Sequence, residues 1–550
     1  MSPEAGPPPP IDTPSFEALA ATVEYEGVMV SHTPHTYSRA QVAELRRHLH
    51  EPAFREWTTP GSYFPDADWT RFAADDVDFS GASFGIGASF ANGRFGDHAD
   101  FSDARFGISP DGSLGDPDAD PERFSAIADF SRCRFGDHVT FDRTSWFGDA
   151  AFARTTFGRS AQFHHLHLAG SLLFSGSSFG DGLYLTLAEP YADTPHRAGE
   201  VVHFAAAVIG AGAQIGIEDR LMNLTLNEAS IGSWTNINWA GLPDGWMGAV
   251  LEATHVGRGV QLHCVGGGVV KMPRIRGESL RITGLALLET LRGAHLGELE
   301  LEGVDLTECQ WGGASIEKLR LGSGTHFARR PVLWFGPSPT RSVLGEDHWS
   351  IGGPSPPGGI EFELQPTPMA EVEDRYRSIR GALEQGGNGA AGNDFYYAEM
   401  QLRRLGRRFS SDGFVPPSVQ GVVLQAYWLV SGYGLRAWRA VATLLAVLLA
   451  AALLYSAGGL AKVVSVDGAS SASDGGSPAT TAPTTKRPLT LGEGFVVAGQ
   501  QGLSLRTRPG VELSASADAI GLALRILVPL LLVLAALAVR NRISRHHPWR

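Results

Sequence analysis

The sequence predicts a repeat solenoid, followed by an αα-hairpin and two apolar helices of membrane-spanning length. Three observations carry that fold class. Large apolar residues return every five or six positions from Phe79 to Phe179. Two helical faces follow one another within residues 369–410. Two apolar runs, 438–456 and 519–539, are each long enough to cross a hydrocarbon core of about 30 Å.

The repeat reads Phe79, Phe84, Phe90, Phe95, Phe101 and Phe106, and resumes at Phe130, Phe135, Phe141, Trp146, Phe152, Phe157, Phe163, Leu168, Phe174 and Phe179. The period is eleven, split five plus six. A helix repeats its apolar face every 3.6 residues or so and a strand every second residue, so neither fits. A sustained fixed period marks a solenoid whose units bury their apolar residues against each other. Two positions before the large residue stands a small or aliphatic one: Ala82, Ala88, Ala99, Ala104, Ala128, Cys133, Val139, Ala150, Ala161. The step persists at Phe204, Ile209, Ile215, Leu226, Ile231 and Ile237, and becomes strict fives at Leu291, Leu296, Leu301, Leu306, Trp311, Ile316 and Leu321. Between about 240 and 290 the register blurs, although Leu251, Val256 and Leu262 still fit.

Ala99-Asp-Phe-Ser-Asp-Ala104-Arg-Phe106 and Ala128-Asp-Phe-Ser131 resemble the pentapeptide-repeat family. The resemblance implies a mainly β fold, a right-handed quadrilateral pentapeptide-repeat β-helix, with the large and small residues both pointing inward. The alternating sixth residue, often the Gly of Phe-Gly-Asp, reads as an extra corner residue. At roughly 4.8 Å per coil the rod is expected to be on the order of 55–60 Å long.

Taken in order, residues 1–14 are expected to be disordered, and Met1–Pro10 is proline-rich with no apolar run of a secretory signal. Residues 15–70 are expected to cap the open end of the solenoid, which runs over 71–330. Residues 331–368 carry two Gly-Pro-Ser-Pro stretches and read as linker. Cys133, Cys264 and Cys309 are far apart, and two occupy inward positions, so they read as core residues in a reducing compartment. The net charge of -13 argues against general nucleic-acid binding.

Glu371–Gln385 places Tyr376, Ile379 and Leu383 on one helical face and stops at Gly386-Gly387. A second helix, capped by Asn393 or Asp394, places Phe395, Ala398 and Leu402 on one face. The pair is the αα-hairpin of 369–410. Phe395-Tyr-Tyr-Ala-Glu-Met400 with Arg403-Arg404 resembles a segment of bacterial membrane proteins that carry pentapeptide repeats. Tyr397, Glu399, Arg403 and Arg404 are expected to act through packing and ion pairing. A juxtamembrane helix over 416–436 contains Tyr427 and Trp428. The two spans follow, with Arg525 placed near one end of the second to snorkel and Pro529 placed to kink it.

Between the spans, 457–518 is expected to be an extracytoplasmic loop, disordered over 465–485. Thr490–Leu505 reads as a surface helix, with a re-entrant piece as the alternative. Arg403, Arg404, Arg407, Arg408, Arg436 and Arg439 precede the first span, and Arg540, Arg542, Arg545 and Arg550 follow the second. The positive-inside rule then puts both termini in the cytoplasm, with 540–550 as a basic tail.

Several candidates for chemistry read as parts of the architecture. Asp111, Asp116, Asp118 and Asp120 lack EF-hand spacing and read as a solvated loop. Gly210-Ala-Gly-Ala-Gln-Ile-Gly216 is like a relaxed dinucleotide loop, but Ile209 and Ile215 are in repeat register. His164, His165 and His167 fall at outward positions and read as surface histidines. Gly96-Asp97-His98 and Gly136-Asp137-His138 read as corners. Ser431-Gly-Tyr-Gly-Leu435 is similar to a potassium filter but precedes both spans. No catalytic, cofactor-binding or metal residue is assigned, and no cofactor is expected. The expected function is a cytoplasmic protein-interaction scaffold, held to the lipid bilayer by two spans and binding protein partners on the rod. A membrane-associated oxidoreductase, a description often attached to proteins of this build, is the alternative. A component of a transport or ion-channel-like system is the second.

Overall fold

The computed structural model describes residues 28–30, 36–42, 54–65, 68–108, 127–187, 201–217, 223–240, 248–331, 340–343, 369–387, 389–406, 409–410, 413–414, 419–433, 437–457, 461–466, 484–503 and 511–543. The chain divides into two compact units, Met1–Phe395 and Tyr396–Arg550.

The first unit is a parallel β-solenoid of about ten turns. Each coil has four sides, defined by short strands that stack on their equivalents in the next coil. Side one stacks Tyr63–Phe64, Ser83–Phe84, Arg105–Phe106 and Ser145–Trp146. Side two begins Ile127–Asp129, Asp149–Ala151, Leu172–Leu173 and Val201–His203. Side three includes Arg94–Phe95, Arg134–Phe135, Thr156–Phe157 and Ser178–Phe179. Side four includes Tyr184–Leu187, Gln214–Ile217, Asn236–Ala240 and Val260–Val265.

Coil length follows from the repeat. Phe135, Phe157 and Phe179 are successive register partners, 22 residues apart, which is two elevens. Leu296 and Ile316 pair 20 residues apart, four strict fives. The blurred stretch is where one coil length gives way to the other: Val256 pairs with Gly277, and Gly277 with Leu296.

Inside, the large residues form four ladders of rings, one per side. Phe64, Phe84, Phe106 and Trp146 stack at centroid spacings of 5.4, 4.8 and 4.2 Å. Phe79, Phe101, Phe141 and Phe163 form another ladder, and Phe95, Phe135, Phe157 and Phe179 a third. The fourth runs from Trp69 through Phe90, Phe130, Phe152 and Phe174 to Phe204. Neighbouring ladders meet edge to face, as Phe101 does with Phe130 at 5.7 Å, so quadrupoles are satisfied in both directions. The small residues two positions before are all buried, and each lets the strand lie close over the next ladder. Where Thr replaces Ala, its hydroxyl donates to a carbonyl: Thr155 to Phe130 at 2.6 Å and Thr254 to Leu226 at 2.6 Å.

Several expectations are corrected in detail. The parallel ladder extends upstream of residue 71, since Val28–Val30 pairs with Glu56–Thr58 and Phe54–Thr58 with Ala74–Asp78. Leu168 keeps its expected register, pairing with Trp146, but is only half-buried, while Leu166 is fully buried where the register shifts after Phe163. Within 331–368, Thr340–Val343 folds back antiparallel on Ala328–Pro331. The open C-terminal end of the solenoid is covered by helix α1, Met369–Gln385, which packs on Ser315–Leu321. Val372, Tyr376, Ile379 and Leu383 form its buried face. Helix α2, Gly389–Gly406, starts ahead of the anticipated caps Asn393 and Asp394. Its Phe395 ring lies 5.0 Å from Phe327 and 5.8 Å from Tyr376.

The second unit contains α3 (Val419–Ser431), α4 (Ala437–Ala457), α5 (Leu491–Gly502) and α6 (Ala515–Ile543). Two of its helices are apolar and long enough to cross a membrane, over Trp438–Ser456 and Ala515–Leu537. Their joined ends carry a three-stranded antiparallel sheet in which Ala461–Val466 pairs with Thr484–Pro488 and with Val511–Leu513. The ends of the stretch expected to be disordered, 465–466 and 484–485, are therefore paired strand, and its middle lies outside the described residues.

Candidate functional site

The solenoid's outward residues alternate with inward ones, and on side four the outward row is uncharged from Gln162 to Gln261. Gln162, Tyr184, Gln214, Asn236 and Gln261 are register partners in five successive coils, and all are exposed. Beside that row, Asn238 and His263 are paired and exposed. Charge returns only at Arg281, which pairs with Gln261 and makes ion pairs to Glu300 and Glu302. At the corner before this side, Trp234 is 65% exposed and carries the Arg258 guanidinium 5.9 Å from its ring. The result is a flat, amide-rich strip with two aromatic rings, on a backbone fixed by its ladder bonds.

The other singled-out residues fall where the coil needs them. Val208–Ile209 and Gln214–Ile217 are two sides of one coil, and Gly210–Gly212 is the corner between them. A Cβ on Gly210 would lie 2.5 Å from the Gly180 carbonyl carbon, so the glycine serves coil stacking, and the strand Gln214–Ile217 follows it in place of a phosphate-cradling helix. Gly96-Asp97-His98 and Gly136-Asp137-His138 are stacked corners. The Asp97 carboxylate accepts the Asp137 amide at 2.7 Å, and Asp137 accepts the Arg159 amide at 2.7 Å. That bond, more than any neighbouring charge, lowers the Asp137 pKa. His98 and His138 stack at 5.0 Å. These carboxylates staple one coil to the next.

His164 and His165 meet at 2.8 Å through their Nδ1 atoms, while burial and the neighbouring His165 lower the pKa of His167. Among the described residues no cluster of three or more metal-ligating side chains forms. Cys133 and Cys264 are buried, and burial raises their thiol pKa values to about 12, so they are core side chains and poor nucleophiles. Asp111, Asp116, Asp118 and Asp120 lie outside the described residues.

In the second unit, Tyr433 of the filter-like stretch sits in the turn after α3, buried, with its hydroxyl donating to the Met400 carbonyl at 3.3 Å. It is a packing residue. Around it, Trp428 organises a cluster that sequence reasoning missed. Its indole donates to the Tyr397 hydroxyl at 3.1 Å, and Arg404 lies 4.2 Å over its ring. Arg403 pairs with Glu399 at 2.9 Å, and the Glu399 side chain is only 2% exposed.

Helix α5, expected as a surface helix, is packed against both α4 and α6, with Gly494, Val497, Ala498, Gln501 and Gly502 buried. Thr490 and Glu493 form its capping box, and Glu493 also pairs with Arg487 at 2.6 Å. Arg525, expected near one end of its span, lies ten residues inside α6, donating to Gln501 Oε1 at 3.1 Å. No family model, curated protein or solved structure matches this chain.

Proposed function

We propose that the chain is a membrane-anchored member of the pentapeptide-repeat proteins and that its solenoid is a cytoplasmic scaffold binding an extended protein segment along side four. Four inward large residues per coil, spaced by fives and sixes, support the family. The uncharged row from Gln162 to Gln261 carries the binding reading. A chain laid along the axis meets a fresh hydrogen-bonding side chain about every 4.8 Å, a carboxamide in four of the five coils, and recognition by hydrogen bonds needs no opposite charge.

The triple substitution Gln214→Glu, Asn236→Lys and Gln261→Glu introduces alternating charges on exposed positions, so the melting temperature is expected to stay within a few degrees. Proximity labelling in the native cell is expected to lose the wild-type neighbours at least tenfold. Unchanged neighbours at unchanged yield would remove side four as the binding surface.

In this reading α4 and α6 cross the bilayer with both termini in the cytoplasm. A cysteine at Ser473 is expected to react with an impermeant thiol reagent in intact cells, and one at the exposed Ser315 only after permeabilisation. The native Cys133 and Cys264 report nothing here, being buried. The reverse pattern inverts the topology. One observation favours the second reading, a transport or channel-like component: α5 is packed on two membrane-length helices. Ion flux from reconstituted vesicles is its measurement.

A further inference from the structure

We propose that α5 is a re-entrant helix, which enters the bilayer beside the three-stranded sheet, descends to about mid-depth and holds the Arg525 guanidinium there against Gln501. The inference rests on α4 and α6 being membrane spans and is independent of what side four binds.

Depth is readable from which residues meet. The end of α4 and the start of α6 lie together, since Ala461 pairs with Leu513 and the Tyr455 hydroxyl donates to the Ala517 carbonyl at 3.4 Å. Near the top of α5, a Cβ on Gly494 would lie 2.8 Å from the Ala452 carbonyl oxygen. Ala452 is about 7–8 Å along α4 from its end at Ala457, at about 1.5 Å per residue. At the bottom of α5, a Cβ on Gly502 would lie 2.6 Å from Val528 Cγ2. Val528 is about 20 Å along α6 from Ala515 by the same rise. The stretch from Gly494 to Gly502 advances about 12 Å, which accounts for the difference. So α5 runs along the spans rather than across their ends. The apolar part of α6 ends at Leu537, which puts Gly502 and Arg525 near its middle.

The outer face of α5 agrees. Leu491, Phe495, Val496 and Leu503 are its exposed large side chains, while the buried face holds Gly494, Val497, Ala498, Gln501 and Gly502. A helix whose bulkiest apolar side chains face out, while its packed face is made of small residues and one carboxamide, is built for lipid, not for water. After Glu493 it carries no charged residue. The glycines allow the approach: besides Gly494 and Gly502, a Cβ on Gly521 of α6 would lie 2.9 Å from Gln501 Oε1. At the deep end, Arg525 donates to Gln501 at 3.1 Å, and Gln500 Oε1 is buried without a hydrogen-bond partner. The guanidinium and the carboxamide it meets make a polar pair inside the membrane, where an ionisable side chain is costly and marks function.

The test uses the full-length protein in vesicles, spin-labelled singly at Leu491→Cys, Phe495→Cys and Leu503→Cys, with Leu445→Cys and Ile526→Cys as references on the two spans. All five replace exposed side chains. The collision ratio of oxygen to a water-soluble nickel complex is expected to rise several-fold from position 491 to 503, with 503 matching 526. A uniformly water-like ratio at 491, 495 and 503, while 445 and 526 are membrane-like, would overturn the re-entrant assignment alone. Water-like ratios at 445 and 526 would overturn the spans, and the inference with them.

Discussion

Phe141→Asp is expected to abolish the cooperative melt of the coils around it, at a cost of about 5 kcal/mol or more. Phe141 is fully buried, stacked between Phe101 at 4.8 Å and Phe163 at 4.9 Å, with the edges of Phe130, Phe135 and Phe152 around it. Deleting a buried Phe side chain costs about 3–5 kcal/mol, and an unpaired carboxylate in its place adds several more. Each coil touches only its neighbours, so the loss propagates along the ladders before it reaches the ends. Thr156→Lys, on an exposed position of side three, is expected to change stability by a few tenths of a kcal/mol. Asp142 is a poorer reference, because its carboxylate accepts the His164 amide at 3.1 Å and its loss costs about 1 kcal/mol. Thermal melts by circular dichroism, read with limited proteolysis, check the pair. Equal effects would mean that the inward register is wrong.

Arg403→Ala is expected to destabilise the second unit by about 3 kcal/mol, and Glu399→Ala by roughly 2. The asymmetry follows from burial. Glu399 is 2% exposed and Arg403 30%. Removing the arginine takes an ion pair from a buried carboxylate, while removing the glutamate takes one from a guanidinium that reaches water. An exposed pair at this spacing contributes only about 0.2–0.5 kcal/mol, the figure that sequence spacing alone suggests. Glu399→Gln keeps shape and hydrogen bonding and is expected to be the mildest of the three. Chemical denaturation of the full-length protein in detergent, followed by tryptophan fluorescence, gives the order; Glu399→Ala exceeding Arg403→Ala would refute this account.

The solenoid was legible because its physics is local and repeated. One large residue must fill each side of each coil, so Phe84, Phe90, Phe95 and Phe101 announce four sides before any contact is known. The burial of Leu166 was not legible, because its strand shifts register after Phe163, and a bulge leaves no mark in apolar spacing. The capping role of α1 was half legible. Tyr376, Ile379 and Leu383 mark a buried face, but nothing in them names the last coil as the surface they bury against. The packing of helix α5 was hidden for another reason. Its bulky Leu491, Phe495 and Val496 look like the face to bury, whereas the face packed on α4 and α6 holds Gly494, Val497, Ala498 and Gln501. Trp428 was noted as an interfacial aromatic, while its role as the centre of a cluster depends on Tyr397 and Arg404, which are remote in sequence.

The four-sided stack also decides where the chain is free to change length. Segments 109–126, 188–200, 218–222 and 241–247 each stand immediately before a side-two strand, at Ile127, Val201, Asn223 and Gly248. Across them the inward pairing continues unbroken: Phe106 stacks on Trp146, Phe179 pairs with Ile209, and Ile231 with Val256. One edge of the rod is therefore a permissive seam. Residues added or removed there leave every ladder in phase, whereas the other edges take only single-residue changes, such as the step of six from Val256 to Leu262 that becomes five from Gly277 to Ile282. Divergence in loop length will concentrate along that seam, and an epitope or fluorescent domain grafted into it will ride on the rod without disturbing it.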